Sequence, residues 1–205
     1  MRGLIGKKIG MTRVFNSIGH SIPVTVLEVG PCYVTQVKTS EKDGYDAVQL
    51  GFLDLKKKHI TKPLEGHFKK YNVNRKKVLA EFKSVPEFVY KPGQIFNVSF
   101  FNEGDFVSVS GKSKGRGFSG TIKKYSFSTQ RKTHGQGDTH RHVGSIGAAS
   151  DPSRVFPGKK MPGRYGNKTV CVKGLEVINI YESKNQLLVK GSVPGATNGI
   201  VYITR

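Results

Sequence analysis

The sequence predicts an all-β protein, a barrel of short strands that carries a long, basic, mostly irregular extension and a small lysine-rich insertion. Two observations lead to this fold class. Short runs of alternating apolar and polar residues recur along most of the chain, with Gly, Asn and Pro between them, which is the pattern of half-buried strands. Residues 111–166 break this pattern, because nothing there repeats at period 2 or 3.6, although the segment holds 11 of the 25 glycines.

The strands fall into two sets. The first set forms an expected antiparallel meander at "GMTRVFN", "SIPVTVLEV", "VTQVKT" and "YDAVQLGF", with turns at "SIGH" and "SEKDG". The second set is expected at "QIFNVSFF", "DFVSVSG", "TVCVKGLEVINIY", "QLLVKGSV" and "GIVYIT". Short strands at regular spacing favour a barrel. We therefore expect a barrel domain of residues 1–110 and 167–205, with residues 111–166 as the extension.

A lysine-rich insertion separates the two sets of strands, at about residues 54–91. The stretch from Leu55 to Lys83 contains the runs "KKK", "KK" and "RKK" and one expected short helix, from Leu64 to Tyr71. Basic runs of this kind fit a nucleic-acid, membrane or acidic-protein partner, and they are often only a solvated face. We expect the insertion to lie on the surface, and the sequence leaves open whether it contacts RNA or protein.

Charge is the strongest indication of function. The chain of 205 residues has 34 Lys and Arg against 14 Asp and Glu, a formal net charge of +20. Self-repulsion at this imbalance destabilises a compact state, so the composition favours a polyanionic partner over an ordinary enzyme with a basic surface. Residues 111–166 alone carry 12 basic residues and two acids. Their scattered large apolar residues argue against a simple charged tail and indicate an extension that becomes ordered on its partner.

The stretch "GKSKGRGFSG" contains a G-x-G-x-x-G motif, which raises the possibility of a nucleotide site. A dinucleotide fingerprint needs an amphipathic helix after the glycines and an acid about 20 residues further on, at the end of a second strand. The following "TIKKYSFSTQRKTHGQGD" is β-branched, hydroxyl-rich and interrupted by glycine. The motif is therefore interpreted as close backbone packing with Lys and Arg placed to meet phosphates.

The histidines of "THGQGDTHRH" suggest metal ligation or base catalysis, and both interpretations are weak. No C-x-x-C or H-E-x-x-H spacing accompanies them, and no residue set for nucleophilic catalysis stands out. A stacking and hydrogen-bonding role on RNA is simpler. DNA reading is disfavoured because the sequence has no recognition helix or zinc finger. We expect no catalytic residue, no metal and no cofactor.

Two further features bear on location. Cys32 and Cys171 lie far apart among β-branched neighbours, so both are expected to be reduced core residues. No stretch approaches the roughly 20 apolar residues that span a bilayer, and "MRGLIGKKIGMT" lacks a cleavable leader pattern. We expect a cytoplasmic protein without a membrane partner.

Several long motifs, in order along essentially the whole chain, resemble the bacterial type of the universal large-subunit ribosomal protein L-three family. They are "GLIGKKIGMT", "SGKSKGRGFSGTIKKYSF", "THG", "GSIG", "RVFPGKKMPGRYGN" and "LLVKGSVPGA". The resemblance implies a six-stranded barrel similar to those of translation elongation factors. It also implies an extension that runs through 23S rRNA toward the peptidyl transferase centre, without doing chemistry. Early subunit assembly and contacts with the L-fourteen and L-nineteen families are implied as well.

The resemblance assigns the site residues to two groups. The expected rRNA-binding residues are Lys7, Lys8, Lys112, Lys114, Arg116, Lys123, Lys124, Arg131, Lys132, His134, His140, Arg141, His142, Arg154, Lys159, Lys160 and Arg164. The expected tip near the peptidyl transferase centre is Gly144, Ser145, Ile146, Gly147 and Ala148.

The chain departs from the family pattern around the tip. Ala148 stands where many bacterial members have a glutamine that is N-methylated, so that modification cannot occur here. Val143 replaces a proline before the G-S-I-G motif, which removes a fixed bend, and Pro157 and Pro162 stand where Lys and Ala are common. Two other functions are weighed against the ribosomal one: an RNA-modifying enzyme, for which the sequence shows no cofactor pocket, and a free-standing RNA chaperone.

Overall fold

The computed structural model describes residues 2–85 and 88–205. They form two compact units: one comprises the chain up to Ser113 together with Thr169–Arg205, and the other is Lys114–Lys168. We call the first the barrel unit and the second the extension. None of the helices in the described ranges is long and apolar enough to cross a membrane.

The described residues are mostly strands, with few and short helices. The strands are β1 Gly3–Phe15, β2 Ser21–Val29, β3 Cys32–Lys38, β4 Ala47–Asp54, β5 Lys76–Lys83, β6 Ile95–Phe96, β7 Phe106–Lys112, β8 Phe118–Ser119, β9 Gly163–Arg164, β10 Thr169–Tyr181, β11 Gln186–Lys190 and β12 Ile200–Thr204. The helices are α1 Ser40–Asp43, α2 Lys62–Lys70 and α3 Thr121–Tyr125, with 3₁₀ turns at Lys57–His59, Val98–Phe100 and Glu182–Lys184.

Six antiparallel strands close the barrel in the order β1-β12-β7-β10-β11-β2. The first and last strands pair, with Gly3 opposite Thr204. Glycine is required at position 3, because a Cβ there would overlap the backbone oxygen of Ile203. Inward side chains such as Leu27, Val109 and Leu187 are fully buried in a single apolar core. The all-β prediction with a six-stranded barrel is confirmed.

The meander expected in the first fifty residues is only partly formed. Strands β1 and β2 pair as a hairpin, but β3 leaves the barrel and joins a second sheet in the order β5-β4-β3-β6. This sheet packs on the barrel, since Val34, Leu50 and Phe52 belong to the same buried cluster as the barrel side chains. Alternation marks a half-buried strand without revealing its sheet, so the sequence pattern could not separate the two.

The lysine-rich insertion is more than a surface appendage. It contains α2, which begins two residues before the expected start, with Pro63 in the first turn and Phe68 buried. It also contributes β5, a strand that the sequence did not predict, which pairs with β4 and buries Phe82. The lysines of "RKKVLAEFK" masked the strand pattern, although Lys at a sheet edge is common because it discourages pairing with other chains.

Two further predictions are wrong in part. The strand expected at "QIFNVSFF" reduces to Ile95–Phe96, followed by a 3₁₀ turn. Val98 and Phe101, three residues apart, are both buried, which matches the three-residue period of a 3₁₀ helix. Cys32 is buried as expected, with its Sγ 3.4 Å from the backbone oxygen of Ile5, but Cys171 is exposed. It lies where β10 pairs with β7 but is not covered by the core.

Candidate nucleic-acid interface

The extension concentrates positive charge. It contains 12 of the basic residues and only two acids, Asp138 and Asp151. Seven ion pairs occur among the described residues, and all seven join residues of the barrel unit. There, hydrogen bonds from Arg75 and from Lys38 lower the pKa of Glu65 and of Glu81, respectively. The barrel unit thus balances part of its own charge, whereas the extension presents its charge outward.

The extension has no apolar core of its own. Its two buried residues are Ser119 and Thr121, and both are polar. Large apolar side chains are instead exposed, with Phe118 at 82% and Phe156 at 59% of their full exposure. Apolar burial is the main term that offsets the conformational entropy lost on ordering a chain. The extension therefore has the composition of a segment that is stabilised by a partner surface.

The base of the extension is held by a short antiparallel ladder. In it β8 pairs with β9, and the amide of Arg116 donates to the oxygen of Tyr165 at 2.9 Å while the amide of Tyr165 donates to the oxygen of Gly117 at 2.9 Å. Gly166 has a φ of +68°, and a Cβ there would overlap the backbone oxygen of Lys114. Gly166, which lies outside the "GKSKGRGFSG" motif, thus allows two backbone segments to approach closely. Within the motif the expected close packing is found only in part, because a Cβ at Gly111 would lie 3.2 Å from the backbone oxygen of Pro194 but one at Gly117 or Gly120 would have no atom within 4 Å.

Aromatic rings hold several of the cations in place. Within the extension the Arg116 guanidinium lies 5.4 Å from the ring centre of Tyr165, and the Arg154 guanidinium lies 5.3 Å from that of Phe156. The ammonium groups of Lys124 and Lys160 lie 4.9 and 5.9 Å from the ring centre of Tyr125. Such contacts orient a cation without neutralising it, so it stays available to an anion. These aromatic partners were missed at the sequence level, because only Lys124 and Tyr125 are adjacent in sequence.

The expected site residues are mostly accessible. Three of them are half-buried: Lys7, Lys124 and His140. The exposed ones are Lys112, Lys114, Arg116, Lys123, Arg131, Lys132, His134, Arg141, His142, Arg154, Lys159, Lys160 and Arg164. Sixteen of the seventeen can therefore reach a polyanion.

Lys8 is the exception, because it is buried within the barrel unit. It is only 9% exposed, and its ammonium donates to the backbone oxygens of Val193 at 2.7 Å and Gly195 at 3.3 Å. Its own backbone is also bound, with the amide donating to the Gly199 oxygen at 2.9 Å. This placement gives Lys8 a structural role, and we leave it out of the proposed interface.

The histidine-rich loop is organised by polar side chains. His140 places its Nδ1 3.0 Å from the backbone oxygen of Arg131, and the side-chain amide of Gln136 donates to Gln130 at 2.6 Å and to Thr139 at 3.1 Å. Among the described residues, no three His, Cys, Asp or Glu side chains come together as metal ligands. The loop is thus a hydrogen-bonded surface that carries Arg131 and its neighbours.

The residues of the expected tip, 144–148, are all exposed. Gly144 adopts a left-handed φ of +77°, the Ser145 hydroxyl donates to the backbone oxygen of Gly147 at 3.0 Å, and Ile146 is 44% exposed. Small and apolar side chains at this position offer shape and a close backbone approach, but no group suited to acid–base chemistry.

Comparison with known proteins agrees with this picture. The family model described as "Ribosomal protein L3" matches residues 66–186. The chain is 51% identical to the "Large ribosomal subunit protein uL3" of Thermotoga petrophila over 204 residues, which is 99% of this chain and 96% of that protein. It is 46% identical to the protein of the same name from Herpetosiphon aurantiacus over 205 residues, 100% of this chain and 96% of the relative. The barrel, the extension and these matches together show that the chain belongs to the ribosomal protein L3 family, a family of structural ribosomal proteins and not of enzymes.

Proposed function

We propose that this chain is a structural constituent of the large ribosomal subunit in the cytoplasm, and that it binds 23S rRNA through its extension. The observation that carries the proposal is the charge of Lys114–Lys168, which is net +10, with nearly all of its Lys and Arg side chains exposed. An RNA surface supplies the phosphates that such a segment needs.

The barrel unit gives the extension a defined point of departure. The chain leaves the barrel at the end of β7 and returns at the start of β10, and Lys112 pairs with Thr169 in the ladder between those strands. The adjoining loop packs close to this point, because a Cβ at Gly195 would lie 3.0 Å from the backbone oxygen of Lys112. Lys8 binds the same loop from the inside. Both ends of the extension are thus anchored before it meets RNA, which lowers the entropy lost on binding.

The finer parts of the proposal rest on the family. The tip, Gly144 to Ala148, lies toward the peptidyl transferase centre and acts there through shape and not through chemistry. The protein nucleates early subunit assembly and contacts neighbouring proteins of the L-fourteen and L-nineteen families. The exposed apolar side chains of the barrel unit, among them Phe15, Ile18 and Phe106, support contacts with protein or RNA.

Sedimentation tests the main proposal. A cell lysate is resolved on a gradient, and the chain is quantified per large subunit before and after a high-salt wash. We expect one copy per large subunit in both cases. A chain that runs free, or one that occurs in far fewer than one copy per subunit, would contradict the proposal and favour a chaperone-like role.

Salt dependence tests the electrostatic mechanism. If the extension makes about 6–10 phosphate contacts, affinity for an rRNA fragment should fall about a thousandfold or more between 50 and 200 mM salt. The double change Lys159→Gln and Lys160→Gln should lower the slope of log K against log salt by about 1.8. The matched control, Lys42→Gln with Lys184→Gln in the barrel unit, should leave it unchanged. Equal slopes for both variants would exclude the extension as the main phosphate contact.

A further inference from the structure

The extension contains a small cavity of about 300 Å³ whose walls are unusually basic. Arg116, Lys123 and Arg141 line it, together with Phe118, Ser119 and Thr121. The three cations come from the base ladder, from α3 and from the histidine-rich loop, so only the fold brings them to one place. The volume suits a single small group and excludes a double helix.

No carboxylate lines this cavity, although three positive side chains do. Like charges that converge in this way repel one another, and an anion between them turns the repulsion into charge-assisted hydrogen bonds. Arg116 is held in place by the ring of Tyr165, with the guanidinium 5.4 Å from the ring centre. Guanidinium groups suit phosphate oxygens, because their planar array of donors can bind two oxygens at once.

The floor of the cavity is the best-packed part of the extension. Ser119 and Thr121 are 5% and 2% exposed and are the two buried residues of that unit. The Ser119 hydroxyl donates to the backbone oxygen of Arg116 at 3.2 Å, which ties the floor to one of the cations. Gly120 leaves the space open, since no atom would lie within 4 Å of a Cβ built there.

Phe118 adds an aromatic surface at the same cavity. It is 82% exposed, which is costly for a phenyl ring in water unless a partner covers it. Bases of single-stranded RNA stack on exposed aromatic rings, whereas bases inside a double helix are not accessible to them. A phosphate site beside an open aromatic ring thus matches the two ends of one nucleotide.

We propose that this cavity binds the phosphate of one unpaired RNA nucleotide, and that the base of that nucleotide stacks on Phe118. The inference rests on the proposed RNA-binding function and deepens it, because it names one built site within a broad basic surface. Arg116, Lys123 and Arg141 hold the phosphate, and Phe118 distinguishes unpaired from paired RNA.

Binding measurements on the full-length chain test the phosphate site. The probes are a 5′-phosphorylated single-stranded RNA hexanucleotide and a blunt-ended RNA duplex, both labelled and followed by anisotropy. Arg141→Gln should weaken binding of the hexanucleotide about tenfold or more, as expected for one charge-assisted contact. Arg13→Gln is the matched control, because Arg13 is an exposed arginine of the barrel unit that does not line the cavity and is not among the expected rRNA-binding residues. Equal losses for the two variants would overturn the proposal.

The base-stacking part has its own test. Phe118→Leu should weaken binding of the hexanucleotide about fivefold or more and leave duplex binding unchanged. Competition by inorganic phosphate, compared with chloride at equal ionic strength, distinguishes a nucleotide site from a site that binds only an anion. If phosphate displaces the hexanucleotide fully and Phe118→Leu has no effect, the nucleotide proposal is wrong. Co-sedimentation of the Arg141→Gln and Phe118→Leu chains with large subunits reports separately on the proposed function, which survives even if this cavity binds nothing.

Discussion

Lys7 and Lys8 are adjacent in sequence, yet the structure predicts opposite consequences for the same substitution. Lys8→Met retains most of the side-chain volume but leaves the backbone oxygens of Val193 and Gly195 without the ammonium that binds them at 2.7 and 3.3 Å. Hydrogen bonds to charged groups contribute about 1.5–3 kcal/mol each, and the second is long, so the free energy of unfolding should fall by about 2–4 kcal/mol. Lys7→Met removes a half-exposed pair with Glu28 at 3.6 Å and should cost less than about 1 kcal/mol.

Urea unfolding of the two full-length variants measures this difference directly. A second readout is the salt dependence of binding to an rRNA fragment, which the loss of one phosphate contact lowers by about 0.9. If Lys8→Met left stability unchanged and lowered the salt slope, Lys8 would be a phosphate contact and its buried structural role would be refuted.

Four other predictions concern individual residues. Burial raises the pKa of Cys32 to about 11 from its ordinary 9.0, so a maleimide should label exposed Cys171 in the native protein and leave Cys32 unmodified. Because the pKa of this thiol is higher in the folded than in the unfolded chain, its contribution to the free energy of unfolding is complete below pH 9 and is lost as the pH rises toward 11. Cys32→Ala should therefore reduce the loss of stability that urea unfolding measures between pH 9 and pH 11. Gly166→Ala places a Cβ at a φ of +68° where it overlaps the backbone oxygen of Lys114, so it should open the base of the extension. Proteolysis of the extension should then be faster, while the unfolding of the barrel stays the same. Unchanged cleavage would contradict the close packing. Ser145→Phe at the exposed tip should leave barrel stability intact but alter sensitivity to drugs of the peptidyl transferase site or subunit maturation, and normal behaviour in both assays would count against the proposed tip position.

Charge and local periodicity were enough to predict the broad organisation of this protein. The alternation of "SIPVTVLEV" and "GIVYIT" reflects which face of a strand is buried, and both segments are strands in the closed barrel. The excess of Lys and Arg between residues 114 and 168 is a property of composition, so it is visible without knowing any contact. The long motifs then indicated the family.

Contacts between residues distant in sequence account for the predictions that were wrong. Alternation does not record the partner of a strand, so the departure of β3 into a second sheet was not visible. β-branched neighbours indicate a strand but not which of its residues the core covers, so Cys171 was expected in the core although it is exposed.

Contacts between residues distant in sequence also explain why the sequence could not predict the details of the candidate site. Lys7 and Lys8 are equivalent as sequence, and a carbonyl 185 positions away makes one of them internal. Arg116, Lys123 and Arg141 are unremarkable as separate basic residues, and they form a candidate site because the fold brings them to one cavity. Composition can therefore reveal that this protein carries a surface for a polyanion. Which cations support the fold and which face the partner depends on backbone groups and rings that are close in space and distant along the chain.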